Sequence, residues 1–374
     1  MTANFTVKVF FYCLPPASPD QTGYPHTVIC LGEGLKALGI EFYSNINYWQ
    51  YSPGTEDYLF RHNSNVTPDD CDIVVLNQDW FCVANQPFPQ FVFHPERKYL
   101  TVYMDSEDGS KTHSWNPEFR QFDFILRTGC NSKLCQPSNV HPWGRGLSER
   151  MLRELEIIPN FQERKNNLLV NFREPYKIKH SVRRRSYHKF LPRIQNVLPV
   201  NNVLEGFDNF SSEPYHYLQW AQTGRRHSPN YYKSLKESVA CACFTGFFVP
   251  PWPQDPGTLT SRAIKRIISK LDLKSNRIVD WDSWRFWESL AAGCVSIRED
   301  FDKYGFIMPV MPENWRHYIG IDFDNIQATV DRIADDPGLL ERISTEGREW
   351  ILEHYTPVPA TLRFLETIGT RVYA

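Results

Sequence analysis

Residues 280–297 of this 374-residue chain run Asp-Trp-Asp-Ser-Trp-Arg-Phe-Trp-Glu-Ser-Leu-Ala-Ala-Gly-Cys-Val-Ser-Ile, an order that fits few folds. Trp287, Leu290 and Ala291 give the i, i+3, i+4 apolar face of a short helix, Ala292 and Gly293 close it, and residues 294–297 have the β-branched character of a buried strand. An acidic, aromatic loop that leads through a short helix into a core strand belongs to an alternating α/β sheet.

The same alternation extends along the chain. Residues 7–12 predict a strand, 14–25 a Pro-rich loop, about 26–38 a helix stopped at Gly39, and 40–43 the next strand. Further buried strands are expected at 72–76, 99–104 and 124–127. The pattern loosens at 142–146, and the polar stretch 162–167 marks the junction. A strand at 168–172, a helix from about 179 to 193, strands at 238–244 and 295–297, and helices over 326–355 repeat the architecture, and a last helix covers about 360–368. The expectation is an α/β fold with one Rossmann-like domain over 1–160, a second over 161–355 and a terminal segment over 356–374.

Length and a 41% hydrophobic content can fill two cores. Lys and Arg total 41 against 43 Asp and Glu, and a net charge of -2 offers no electrostatic footprint for general nucleic-acid binding. No apolar run reaches the length of a membrane span, and the N-terminus lacks a signal-peptide pattern. A cytoplasmic protein is expected, with peripheral membrane contact left open. Nine cysteines without a regular framework suit reduced thiols. Cys241 with Cys243, and Cys130 with Cys135, come closest to clusters, but neither has a matching Cys/His pair, so no metal is assigned.

Arg285 and Glu288 fall in the first turns of the helix within 280–297. A glutamate there can accept hydrogen bonds from two neighbouring ribose hydroxyls, while a helix N-terminus beside an arginine favours a diphosphate. The alternative is an i, i+3 surface pair. The run from Arg285 to Ile297 resembles the donor-binding motif of GT-B glycosyltransferases, whose C-terminal domain often reads Glu, seven residues, then Glu-Ala-Leu-Ala-Ala-Gly-x-Pro-Val. The Arg285-x-x-Glu288 spacing is closer to the exostosin-like branch. Glu288 matches the second family glutamate, which binds the donor ribose. Asp280 stands where the first would be, one methylene shorter, with Asp282 an equally near neighbour.

The resemblance implies a GT-B-like arrangement of two Rossmann-like domains facing across a cleft, with the acceptor on the first domain and the donor on the second. It implies a terminal helix that crosses back to the first domain. A nucleotide-diphosphate sugar would be the donor substrate, with no cofactor. Arg173, directly after the first strand of the second half, would contact the donor phosphates; Ile178 stands where the family often has a lysine, between Lys177 and Lys179. The first loop would face the cleft, so His26 could take a proton from an acceptor hydroxyl; the alternative is a helix-start histidine with no chemical role.

Other candidates come from position. Asp105 follows a strand at its carboxyl end, where α/β sheets bind ligands, and could act as base or orient an acceptor. The run from Asp105 to Asp108 also loosely resembles the metal motif of GT-A transferases, although Asp108-Gly109 would suit a solvated turn. Gly246, in the loop 245–252, offers backbone donors to a nucleotide base, unless the loop is simply Pro-stiffened. His180, Arg183, Arg184, Arg185, His188 and Lys189 make a basic run that could support anion binding or an acidic surface partner, although such a run is usually a solvated face.

The expected activity is transfer of a glycosyl group to a hydroxyl acceptor, a glycan or a small molecule, in glycan biosynthesis. Glu288 would hold the ribose, Arg285 and Arg173 the diphosphate, Gly246, Asp280 and Asp282 the rest of the donor, and His26 or Asp105 would take the acceptor proton. The alternatives are a catalytically silent module that binds a glycan or a protein, a metal-dependent GT-A-like transferase, and a sugar-nucleotide epimerase.

Overall fold

A computed structural model describes residues 7–13, 25–82, 85–108, 113–173, 180–203, 213–224, 226–249, 267 and 275–372. The first half contributes strands β1 (Lys8–Tyr12), β2 (Glu41–Ser44), β3 (Tyr48–Gln50), β4 (Tyr58–Phe60), β5 (Ile73–Asn77), β6 (Leu100–Asp105), β7 (Phe124–Arg127) and β8 (Val140–Pro142). The second contributes β9 (Lys165–Val170), β10 (Val200–Asn202), β11 (Ser238–Ala242), β12 (Phe247–Phe248), β13 (Ile278–Val279), β14 (Val295–Glu299) and β15 (Ile319–Ile321).

Six strands form a parallel sheet in the order β2-β1-β5-β6-β7-β8. Five more form a second, also parallel, in the order β10-β9-β11-β14-β15. Their central strands are buried from end to end, as in Ile-Val-Val-Leu-Asn of β5, because a parallel sheet covered on both faces needs continuous rather than alternating apolar residues. Each sheet reverses strand order once, between β1 and β5 and between β9 and β11. Such reversals open crevices beyond the carboxyl ends of the strands, where open α/β sheets take their ligands.

The two halves are held together by backbone and side-chain bonds around residues 130–132. Trp281 Nε1 donates to the Cys130 carbonyl at 2.9 Å, and Asn131 Nδ2 donates to the carbonyls of Ile278 at 2.9 Å and Tyr304 at 3.0 Å. The final helix, Pro357–Val372, lies on the first helix, His26–Ala37, and adds Phe364, Leu365 and Ile368 to the first-domain core. Pro357 and Pro359 sit in its first turn, where a missing N–H removes no helical bond. Gly34 permits the close approach, since a Cβ there would overlap the Pro357 carbonyl and the Thr361 side chain.

Several boundaries differ from expectation. The helix expected from about 179 to 193 comprises Val182–Arg185, a π-helical stretch Ser186–Phe190 and Leu191–Ile194; residue 179, like loop residues 14–24 and 250–252, lies outside the described residues. The helices Pro214–Gln222 and Pro229–Glu237 were not anticipated. At nine residues each they are too short for apolar periodicity to identify them. Among the described residues, no helix is long and apolar enough to cross a membrane.

Candidate functional site

The crevice between β9 and β11 collects positive charge. Beyond β9, Phe172 is buried, and two guanidiniums flank its ring, Arg183 at 5.7 Å and Arg285 at 5.9 Å. Arg285 Nε donates to the Asn171 carbonyl at 2.5 Å, and Arg183 Nε donates to the Phe244 carbonyl, just past β11, at 3.2 Å. Among the described residues, neither arginine has a carboxylate within ion-pair distance. Burial, and then the neighbouring Arg285 charge, push the Arg183 pKa down to about 10. Two cations held together by backbone carbonyls leave their remaining N–H donors for an anion. Arg173 is exposed at the rim of the same strand end.

Arg285 belongs to the helix Trp284–Ala291, whose N-cap Ser283 is extended at φ -127. Phe286, Trp287, Leu290 and Ala291 bury its core face, and Trp287 Nε1 donates to Asp282 Oδ1 at 2.6 Å. Glu288, one turn beyond Arg285, is 1% exposed and is not a surface partner of that arginine. Its carboxylate accepts from His227 Nδ1 in a short contact closed off from solvent. Burial lowers the His227 pKa, and Glu288 opposes the shift.

Trp284 joins the lobes. Its ring stands edge-on to His227 at 5.1 Å and to His26 of the first domain at 4.5 Å, with the Arg145 guanidinium 4.8 Å above it. Arg145 Nε also lies 3.5 Å from Asp282 Oδ2. Burial raises the Asp282 pKa, and Arg145 holds it back. Asp280 is left-handed at φ 56, and with Asp282, Asp108 and Arg127 it lines a narrow crevice between the domains. Gly246 is also left-handed, at φ 87; a Cβ there would overlap the Val279 carbonyl, so glycine lets this loop lie against the Asp280 turn.

Both residues expected to take a proton are otherwise engaged. His26 is 2% exposed, with Nε2 at 3.0 Å from the Gly146 carbonyl, and burial pushes its pKa down to about 3, which makes it a poor base near neutral pH. Asp105 is 1% exposed; its Oδ2 accepts from Arg127 Nη1 at 2.5 Å and its Oδ1 from the Glu107 backbone at 3.0 Å. That pairing fastens the carboxyl end of β6. The structure gives both side chains a positioning contact, His26 with the Gly146 carbonyl and Asp105 with the Arg127 guanidinium.

The site also contains residues that the sequence reading did not single out. Arg183 stood only as one member of a basic run, yet it is one position past Val182, which begins the buried i, i+4 series of Val182, Ser186, Phe190 and Ile194. His227 and Arg145 carry no local signal, because their partners lie far away in sequence. Among the described residues, no group of three or more His, Cys, Asp or Glu side chains is placed to hold a metal ion.

No family model matches the chain, and no curated protein matches it in sequence. Solved structures do match its fold. An alpha-glucosyltransferase in complex with UDP and a 13-mer DNA aligns over 97% of this chain and 100% of its own, at 9% identity and a TM-score of 0.53. AviGT4, a glycosyltransferase involved in avilamycin A biosynthesis, aligns over 96% of each chain at 12% identity and a TM-score of 0.50. These neighbours are GT-B glycosyltransferases, and the chain has the GT-B fold of two Rossmann-like domains.

Proposed function

We propose that this protein is a glycosyltransferase that moves a sugar from a nucleotide-diphosphate sugar to a hydroxyl acceptor. The observation that carries the reading is the convergence of Arg183 and Arg285 on the Phe172 ring, with Glu288 one helical turn away, at the crevice of the second sheet. A nucleoside diphosphate is anionic along its phosphates and rich in hydroxyl donors at its ribose. The paired guanidiniums suit the first and the buried carboxylate suits the second.

In this reading Arg183 and Arg285, with Arg173 at the rim, bind the diphosphate and stabilise the charge it gains as the glycosidic bond breaks. Glu288 exchanges its bond from His227 for bonds from the ribose hydroxyls. Gly246 and the turn at Asp280 and Asp282 shape the wall against which the sugar lies. The acceptor approaches from the first domain. Fold neighbours crystallised with UDP or described as glycosyltransferases support the class of reaction, and the sugar and the acceptor are open to experiment.

A thermal-unfolding screen against UDP-, GDP-, ADP- and CMP-sugars tests the proposal. A ligand that binds only the folded chain raises the midpoint by mass action. At least one sugar nucleotide should stabilise the parent, and Glu288→Ala should lose most of that effect. No response from any of them would remove the reading. Donor binding without transfer, or even slow hydrolysis, would leave the silent binding module in its place.

A further inference from the structure

The first sheet has its own crevice, beyond the carboxyl ends of β1 and β5, and it is lined differently from the second. Tyr12 closes β1, and the short helix Asp79–Cys82 begins two residues after β5 ends. Tyr12, Trp80 and Phe91 group there, with ring centroids 5.6 Å apart for Tyr12 and Trp80, 5.5 Å for Tyr12 and Phe91, and 6.5 Å for Trp80 and Phe91. Phe91 is 55% exposed and Trp80 is half-buried, while Trp80 Nε1 is anchored on the Pro87 carbonyl at 3.1 Å. A fixed aromatic platform open to solvent at a ligand crevice suits the apolar face of a sugar ring.

Asp79 precedes Trp80 in the same short helix. Asp79 is 4% exposed, and among the described residues its buried Oδ2 has no hydrogen-bond donor. An ionisable oxygen left in that state is costly unless it serves a purpose. Burial raises the Asp79 pKa to about 6, and Arg226 of the second domain opposes the shift. The Tyr103 hydroxyl and the Cys82 thiol are close enough to feel its charge. Mostly ionised at pH 7, it is a stronger base than an ordinary carboxylate.

We propose that this crevice is the acceptor subsite, that it takes a pyranoside with its ring against Trp80 and Phe91, and that Asp79 accepts the proton of the attacking hydroxyl. The inference rests on glycosyl transfer being the reaction. The acceptor oxygen forms a bond to the anomeric carbon. The bond from that carbon to the diphosphate oxygen breaks, and its electron pair leaves on the nucleoside diphosphate beside Arg183 and Arg285. The hydroxyl proton moves to Asp79 Oδ2. This single displacement inverts the anomeric centre.

The test uses the full chain, the sugar nucleotide that stabilises it, and methyl pyranosides of glucose, galactose, mannose and N-acetylglucosamine as acceptors. Asp79→Asn should lower kcat roughly 100- to 10,000-fold, leave the donor-induced thermal shift unchanged, and abolish the acid limb near pH 6. Trp80→Ala should raise the acceptor KM about tenfold, with kcat within a few-fold of the parent. The product should carry the inverted anomer by NMR. Transfer by Asp79→Asn within threefold of the parent, or a retained anomer, overturns the role of Asp79. If Asp79→Asn does not fold, the pH profile of the parent and of Asp79→Glu, whose acid limb should move, decides the same point. If no sugar nucleotide binds the parent, the glycosyl-transfer reading fails instead. Calorimetric titration of the same pyranosides into the donor-free parent and Trp80→Ala then tests the platform, and equal heats overturn it.

Discussion

The Glu288 carboxylate and the His227 imidazole meet inside the second domain, 61 positions apart in sequence, each with a side chain 2% exposed. The imidazole keeps the buried carboxylate satisfied. Under the proposed function, a ribose hydroxyl would take the same oxygen, and donor binding would exchange one hydrogen-bond donor for others.

His227→Ala removes the resident donor and leaves a buried carboxylate unsatisfied. The free protein should lose about 1–3 kcal/mol of stability. Because ribose hydroxyls restore the missing bonds, the rise in Tm on adding the sugar nucleotide should be larger than in the parent. A smaller rise would mean that His227 assists the donor rather than holding its place.

Arg183→Ala and Arg285→Ala should each weaken UDP binding about 10- to 100-fold, the equivalent of losing one or two charge-assisted hydrogen bonds. Lysine at either position should recover only part of the loss, since an ammonium cannot reproduce the planar fork. Calorimetry at low and high salt checks this, and unchanged affinity in either alanine variant would take that arginine out of the site.

Glu33 in the first helix is 1% exposed, and its Oε2 accepts from the Glu149 backbone at 2.8 Å. Burial raises its pKa from 4.5 to about 8. Between those values the unfolded chain ionises while the folded one stays protonated, so the stability this group provides below pH 4.5 is lost as pH rises towards 8, by roughly 1.4 kcal/mol per unit at most. Glu33→Gln keeps the acceptor and removes the titration. Its advantage over the parent in urea unfolding should grow from pH 5 to pH 8 and then level off.

Gly34→Ala would ordinarily favour a helix by about 1 kcal/mol. Here the added methyl collides with the Pro357 carbonyl and Thr361, so the terminal helix must shift. The net effect should be a loss of about 1–3 kcal/mol and faster proteolysis near residue 356.

Much of the fold was legible because it is written in local pattern. The runs around residues 73–77, 100–104 and 295–297 are mostly apolar without a period-2 alternation, as strands of a parallel sheet covered on both faces require. The helix of Trp287, Leu290 and Ala291 closing at Gly293 was equally local, and its spacing placed Arg285 and Glu288 on adjoining turns. The short helix Pro229–Glu237 and strand β10 were not legible, since a few residues fix no period.

The site divides along the same line. The sequence by itself determined that a carboxylate and a guanidinium begin one helix of an alternating α/β domain, because helix periodicity depends only on neighbours. Only the tertiary structure decided that Arg183 leaves its basic run to stand beside Arg285, that His227 covers Glu288, and that Asp105 is tied to Arg127 while no described residue hydrogen-bonds Asp79 Oδ2. Those outcomes depend on which strand ends lie next to one another. Charge and burial act through space over a few ångströms, whatever the separation along the chain.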